Sequence, residues 1–332
     1  MTKVAINGLG RIGRAALKII LDNPQLELVA VNDLVSPENL AYLLKYDTVY
    51  GRYHKPIHHN SNSLTIDGKE YKAFSEKDPA QLPWKDLGID IVFECTGAFT
   101  KKPDLEKHRQ AGAGYVVLSA PAKDDETQMI VHGVNQDRAA GKSIVSCASC
   151  TTNCITPVVE VMNRRVGVKK ASMTTIHAYT ASQELVDGPS KKFRRGRAAA
   201  ENFVPTTTGA AIATTKVLPE FQNRFDGAAV RAPIPVGSLS DMVFVTERTT
   251  NVSEINQMFQ EEAQSSRYQG ILDVSDDSIV SSDIVQDPHA SVVDLTMTQV
   301  IDGDLVKVMS WYDNEWGYAN QMIQVGLYLQ SN

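Results

Sequence analysis

The chain places a cysteine, a histidine and a run of glycines where their types and spacing could do chemistry. Ser149-Cys150-Thr151-Thr152-Asn153 stands at the expected start of a helix. Only the thiolate of cysteine is a good nucleophile, and unpaired N–H groups in a first helical turn favour it, so the Cys150 pKa is expected to be depressed. Ser149 suits the helix N-cap. An isolated cysteine usually acts as a small buried hydrophobe, but hydroxyl-rich surroundings suit anion binding better. Cys147 and Cys154 bracket Cys150, yet no second cysteine cluster exists and the histidines lack ligand spacing, so no metal site is expected. Cys154, one helical turn on, reads as a buried helix-face residue, with resolution of an oxidised sulfur as its other possible role. His177 lies in the strand pattern Thr174-Thr175-Ile176-His177-Ala178-Tyr179-Thr180 and is a candidate base for Cys150. Spacing alone does not rank it above the polar group His54, His58 and His59.

A second constellation is Gly8-x-Gly10-x-x-Gly13, between a first strand and a first helix. Gly8 would permit a tight turn, Gly10 the approach of a pyrophosphate, and Gly13 close packing of helix on strand. The helix N-terminus adds N–H donors and the positive end of its dipole. Asp33 follows Gly13 by twenty residues at the end of the second strand. A carboxylate there accepts hydrogen bonds from a ribose 2′-OH and repels a 2′-phosphate, which favours NAD over NADP.

Positioning these groups requires a parallel sheet in the first half. Val4-Ala5-Ile6 reads as a strand, Ile12, Ala16, Leu17, Ile20 and Leu21 as one helix face, and 27–31 as the next strand. That βαβ unit implies a right-handed crossover. Further strands are expected at 89–94, 115–119, 128–131 and 143–146, and a hairpin around Asp67-Gly68 is expected as an excursion beside the main sheet. After a helix over 150–166, containing Pro157, long strand patterns dominate at 171–179, 228–231, 240–249, 292–301 and 305–311. Few helices are expected between them, which suggests a mixed or antiparallel α+β domain. Residues 185–205 read as a long ordered loop with a functional or interface role, and 318–329 as a helix.

Composition bounds the rest. With 332 residues the chain is too long for one ordinary core and suits two domains. It carries 33 Lys and Arg against 39 Asp and Glu, a formal charge of −6, which argues against dedicated nucleic-acid binding. No apolar run reaches membrane-spanning length, so no membrane partner is expected. The N-terminal MTKVAINGLGRIGR has glycines and arginines where a signal peptide needs apolar residues. Four cysteines, read as free thiols, point to a reducing cytoplasm.

Five motifs, in order and spanning nearly the whole chain, resemble glyceraldehyde-3-phosphate dehydrogenase. They are NGLGRIGR at 7–14, ASCTTNC at 148–154, HAYTASQ at 177–183, TTTGAA at 206–211 and WYDNEWGY at 311–318. The resemblance implies a Rossmann-type doubly wound domain over 1–149, an α+β catalytic domain over 150–315, and a C-terminal helix over 316–332 packing back on the first domain. It implies Cys150 as nucleophile through a thiohemiacetal and thioester, with His177 as general base and oxyanion partner. Inorganic phosphate would then release 1,3-bisphosphoglycerate, as in glycolysis or gluconeogenesis. Erythrose-4-phosphate dehydrogenase, which releases the acid, is the alternative.

By the same resemblance, the substrate phosphate would meet Thr180, Arg195 and Arg231, and inorganic phosphate would meet Ser149, Thr151, Thr208 and Gly209. Arginine suits such places because its planar fork pairs with phosphate oxygens. Arg194 adjoins Arg195, so the motif leaves open which of them is used. For NAD, Gly8, Gly10, Arg11, Ile12, Gly13, Asp33, Lys77, Ser119 and Asn314 are implied, Asn314 bonding the nicotinamide carboxamide. Lys77 stands where many relatives have arginine, and Pro189 matches NAD-type members. A homotetramer with 185–205 near its interfaces is implied as well.

Overall fold

The computed structural model describes residues 1–331; Asn332, the last residue of the segment 316–332 expected as a helix, lies outside the described residues. The chain divides into two compact units, one of 1–148 with 319–332, the other of 149–318.

The first unit is built on a nine-stranded sheet. From one edge its strands are Gln128–Met129, Ile144–Ser146, Tyr115–Leu118, Ile91–Glu94, Thr2–Asn7, Leu26–Asn32, Lys69–Phe74, Ser63–Ile66 and Ile57–His59. Every pairing is parallel except the last two. Both faces of the central strands are buried, Val4, Ala5, Ile6, Ile91, Val92 and Phe93 being fully enclosed, as a sheet covered on each side requires. The helix Arg11–Asp22 lays Ala15, Ala16, Leu17 and Ile20 inward. Chain order reverses at Thr2–Asn7, whose neighbours are Leu26–Asn32 and Ile91–Glu94. Ligand crevices in open parallel sheets form at such a point, beyond the carboxyl ends of the strands.

One expectation is corrected. The hairpin 63–74 is not an excursion: Lys69–Phe74 joins the sheet beside Leu26–Asn32, with Ala30 opposite Lys72 and Asn32 opposite Phe74. The alternation that buries Tyr71 and Ala73 lets this strand cover an edge that would otherwise stand unpaired.

The second unit carries a seven-stranded mixed sheet. Its order is Val204–Thr207, Phe225–Ala232, Val168–Ala178, Ser238–Thr246, Leu305–Tyr312, Ser291–Ile301 and Leu272–Ser275. Along Ser238–Thr246 burial alternates strictly, with Ser238, Ser240, Met242, Phe244 and Thr246 inward, the period-two pattern of a sheet covered on one face. The helix Cys150–Val166 runs unbroken through Pro157. Helices at Ala210–Val217 and Val252–Ala263 make this unit richer in helix than its strand patterns suggest. Among the described residues no helix is long and apolar enough to cross a membrane.

Candidate active site and cofactor cleft

In the second unit, Cys150 is the first residue of its helix and Ser149 is the N-cap, its Oγ accepting the Thr152 N–H at 3.1 Å. The Asn153 amide donates to the Ser149 carbonyl at 2.9 Å. Capping fixes the entry of the chain and therefore the direction of the Cys150 side chain. Cys150 Sγ lies 3.4 Å from His177 Nε2, close enough for a proton to pass along that line. His177 is buried at the end of Val168–Ala178, and its Nδ1 lies 2.7 Å from the Ala178 carbonyl and 2.8 Å from Arg231 Nη1. In the tautomer with its proton on Nδ1, which the carbonyl accepts, the Nε2 lone pair faces sulfur.

Burial, with the Arg231 guanidinium beside it, pushes the His177 pKa down to about 3, so the ring is neutral and able to accept a proton at neutral pH. For the thiol the expected depression is corrected. Burial pushes Cys150 up from its ordinary value, outweighing Arg231 and the Thr151 N–H, which pull it down. Desolvation of a thiolate outweighs one helix end. Proton transfer from Sγ to Nε2 makes the nucleophile.

Tyr312 braces this pair. Its hydroxyl hydrogen-bonds Thr151 Oγ1 and Thr175 Oγ1, each at 2.9 Å, and its ring meets the His177 ring edge-on at 6.0 Å. Cys154 points elsewhere: it is fully buried, with Sγ near Ser291 Oγ at 3.9 Å and the Ser310 carbonyl at 3.8 Å. Cys147 is buried in the first unit. His54, His58 and His59 lie in the first unit too, His58 and His59 on its edge strand, so His177 is the histidine that the fold brings to Cys150.

Arg231 Nη1 donates to the Ala178 carbonyl at 3.0 Å and reaches Thr180 Oγ1 at 3.5 Å, while its buried Nε has no partner. Among the described residues Arg231 pairs with no carboxylate. A half-buried cation without a counter-ion is an anion site. Arg195 stands close enough to depress both His177 and Arg231. It bonds Thr206 Oγ1 at 3.1 Å and Ser182 Oγ at 3.4 Å, whereas Arg194 is exposed. Thr180 Oγ1 contacts Ser182 Oγ at 2.9 Å. Thr208 Oγ1 accepts the Ala210 N–H at 3.1 Å, and Gly209 caps the short helix that follows. Asn314, 5 % exposed, accepts a hydrogen bond from Ser238 Oγ at 2.9 Å.

In the first unit a cleft of about 810 Å³ opens beyond the strand ends, lined by Gly8, Gly10, Asp33 and Lys77 together with Asn7, Asn32 and Thr96. Gly8 has φ +93°, and a Cβ there would strike the Thr96 backbone. A Cβ on Gly13 would overlap the Gly8 carbonyl, but one on Gly10 would meet nothing within 4 Å. The first and third glycines therefore serve the fold, and the second leaves open space where a pyrophosphate must approach. Arg11 and Ile12 form the helix start above it, the Arg11 side chain turning to Asp47 at 2.7 Å. Ser119 follows its strand and hydrogen-bonds Cys95 rather than lining the cleft. Asp33 is held by the Leu9 N–H at 2.6 Å and the Val35 N–H at 3.0 Å, so its carboxylate is fixed in place.

Three polar residues end the central strands and were not singled out by sequence: Asn7, Asn32 and Glu94. The fully buried Glu94 accepts from Asn7 Nδ2 at 2.6 Å, His108 Nε2 at 3.0 Å, and the Thr96 amide and hydroxyl. Trp84 Nε1–H donates to His108 Nδ1 at 3.0 Å, and Asn32 Nδ2 to Asn7 Oδ1 at 2.7 Å. This network fixes the cleft floor. Polar residues at the ends of otherwise apolar strands were the available signal.

The cleft and the fixed carboxylate suit a dinucleotide. Asp33→Ala removes the acceptor for the ribose 2′-OH and the repulsion of a 2′-phosphate; the expected result is about tenfold weaker use of NAD, with NADP gaining relative to it. Steady-state kinetics with both cofactors checks this, and an unchanged NAD/NADP ratio would sink the role given to Asp33.

Two family models match the chain: "Glyceraldehyde 3-phosphate dehydrogenase, NAD binding domain" over residues 2–102 and "Glyceraldehyde 3-phosphate dehydrogenase, C-terminal domain" over 149–314. Glyceraldehyde-3-phosphate dehydrogenase of Streptomyces coelicolor is 47 % identical over 330 residues, covering 98 % of each chain. Glyceraldehyde-3-phosphate dehydrogenase 1 of Bacillus cereus is 46 % identical over 333 residues, covering 100 % of this chain and 99 % of its own. The Haloarcula vallismortis enzyme of the same name is 44 % identical over 330 residues, covering 98 % of each chain.

Proposed function

The chain belongs to the glyceraldehyde-3-phosphate dehydrogenase family, and from that premise we propose how its own residues carry the reaction. It is an NAD-dependent dehydrogenase that oxidises glyceraldehyde 3-phosphate in glycolysis; the tetrose-oxidising alternative is not favoured. Residues 1–149 hold the cofactor and 150–315 carry the chemistry. His177 Nε2 takes the Cys150 proton, and Sγ attacks the aldehyde carbon to form a thiohemiacetal. The imidazolium so formed faces the new oxyanion, stabilises it and returns the proton to it, which gives the thiohemiacetal hydroxyl and restores the neutral ring. His177 then takes the thiohemiacetal hydroxyl proton as the thioester forms. NAD, when bound, supplies the hydride acceptor for that oxidation, held through Gly8, Gly10, Arg11, Ile12, Gly13, Asp33 and Lys77, with Asn314 at the carboxamide.

Arg231, with Arg195 and Thr180, takes the substrate phosphate. Ser149, Thr151, Thr208 and Gly209 receive the inorganic phosphate that cleaves the thioester. The observation that carries this reading is the 3.4 Å approach of Cys150 Sγ to His177 Nε2 beside an arginine with no carboxylate partner. NADH formation from the triose phosphate, followed by absorbance, is expected to require inorganic phosphate for sustained turnover. Sustained turnover without phosphate would contradict the acyl-phosphate product.

We read the working form as a cytoplasmic homotetramer. Leu185, Val186, Phe193 and Phe203 are 81, 72, 89 and 71 % exposed, and so much apolar surface on one segment suits a second copy of the chain. Among the described residues none of the four cysteines is joined in a disulfide, which suits a reducing compartment.

A further inference from the structure

We propose that Ser238 is a positioning residue that fixes which edge of the Asn314 amide faces the nicotinamide; this rests on the reading that Asn314 bonds the carboxamide. Ser238 is fully buried at the start of Ser238–Thr246. Its Oγ accepts the Ala178 N–H at 3.1 Å. The single hydroxyl proton then goes to Asn314 Oδ1 at 2.9 Å.

The direction of these two bonds decides the amide orientation. Were the Asn314 amide turned over, two N–H donors would converge on Ser238 Oγ and its own proton would have no acceptor. A buried unpaired hydroxyl proton costs about 1–3 kcal/mol, so the amide is held in one orientation. Its Nδ2, with two protons, makes no hydrogen bond among the described residues, although the residue is only 5 % exposed. Asn314 therefore presents a donor edge, and the partner it selects is a carbonyl oxygen.

Ser238 is fully buried, and its hydroxyl acts on the site through Asn314 on one side while it accepts the Ala178 N–H on the other. The two residues are 76 positions apart, and the strand Ser238–Thr246 runs antiparallel to Leu305–Tyr312, with Ser238 opposite Tyr312. Sheet register thus brings Ser238 to the residue two places after Tyr312. Orientation by a buried hydroxyl leaves no rotamer to be frozen when ligand arrives.

Calorimetric titration of the full-length protein with NAD and with ADP-ribose, which lacks only the nicotinamide, separates this role from a general structural one. Ser238→Ala and Ser238→Cys, the latter filling the space with a weak donor, are each expected to raise the NAD Kd about fivefold, while ADP-ribose binds as in wild type. Asn314→Ala is expected to show the same selective loss. NAD binding at wild-type strength in both Ser238 variants, or an equal loss for both ligands, would overturn the role of Ser238. If Asn314→Ala alone keeps wild-type NAD affinity, the Asn314 reading itself fails and the role of Ser238 falls with it.

Discussion

Cys150→Ser is expected to lower turnover on the order of 10⁴-fold or more, with NAD affinity essentially unchanged. A serine hydroxyl at the same helix start is far less acidic than a thiol, and His177 cannot make it an effective nucleophile. A serine ester would also resist attack by phosphate more than a thioester does. The binding half of the prediction follows from the fold: Gly8, Gly10, Asp33 and Lys77 line one cleft in the first unit, whereas Cys150 belongs to the second. Steady-state NADH formation and an NAD titration on the same preparation check both halves. Turnover near the wild-type rate would remove Cys150 from the reaction.

His177→Asn is expected to slow catalysis by about 10²–10⁴-fold, the usual worth of a general base. It is also expected to slow alkylation of Cys150 by iodoacetamide. The sign follows from charge: the ring stays neutral down to about pH 3, so at neutral pH its Nε2 lone pair is free to accept the thiol proton. Asparagine offers no comparable base. Because burial raises the Cys150 pKa, the thiol without His177 is less reactive still. An alkylation rate equal to wild type would show that His177 does not activate the sulfur.

What the sequence made legible was local. Gly8, Gly10, Gly13 and Asp33 sit within one βαβ unit, where spacing alone sets geometry, and the strand, turn and helix lie where that spacing puts them. The helix after Ser149 was likewise legible, because a hydroxyl cap acts over three residues. What depends on register was not. His177 meets Cys150 only because of where Val168–Ala178, the third strand of the seven-stranded sheet, lies, and no pattern in the residues between positions 150 and 177 states that. Arg195 and Arg194 are adjacent, and the short 3₁₀ turn at Phe193–Gly196 sets which way each points: Arg195 bonds Thr206 Oγ1, while Arg194 is exposed.

Some signals were present and overlooked. Asn251-Val-Ser-Glu254 caps the helix Val252–Ala263, the Asn251 side chain accepting the Glu254 N–H at 2.9 Å. The direction of the thiol shift needed burial, which depends on side chains from distant strands such as Tyr312. Ser238 could not be found at all from spacing, since its importance lies in one hydroxyl proton and the absence of a second acceptor.

The central claim is that Cys150 becomes acylated. The most direct measurement is mass spectrometry of the protein quenched in acid after mixing with glyceraldehyde 3-phosphate and NAD without inorganic phosphate. The expected result is a phosphoglyceroyl group on Cys150, formed together with an equivalent of NADH and lost when phosphate is added. NADH formed while Cys150 stays unmodified, or an acyl group carried by Cys95, Cys147 or Cys154 instead, would contradict it.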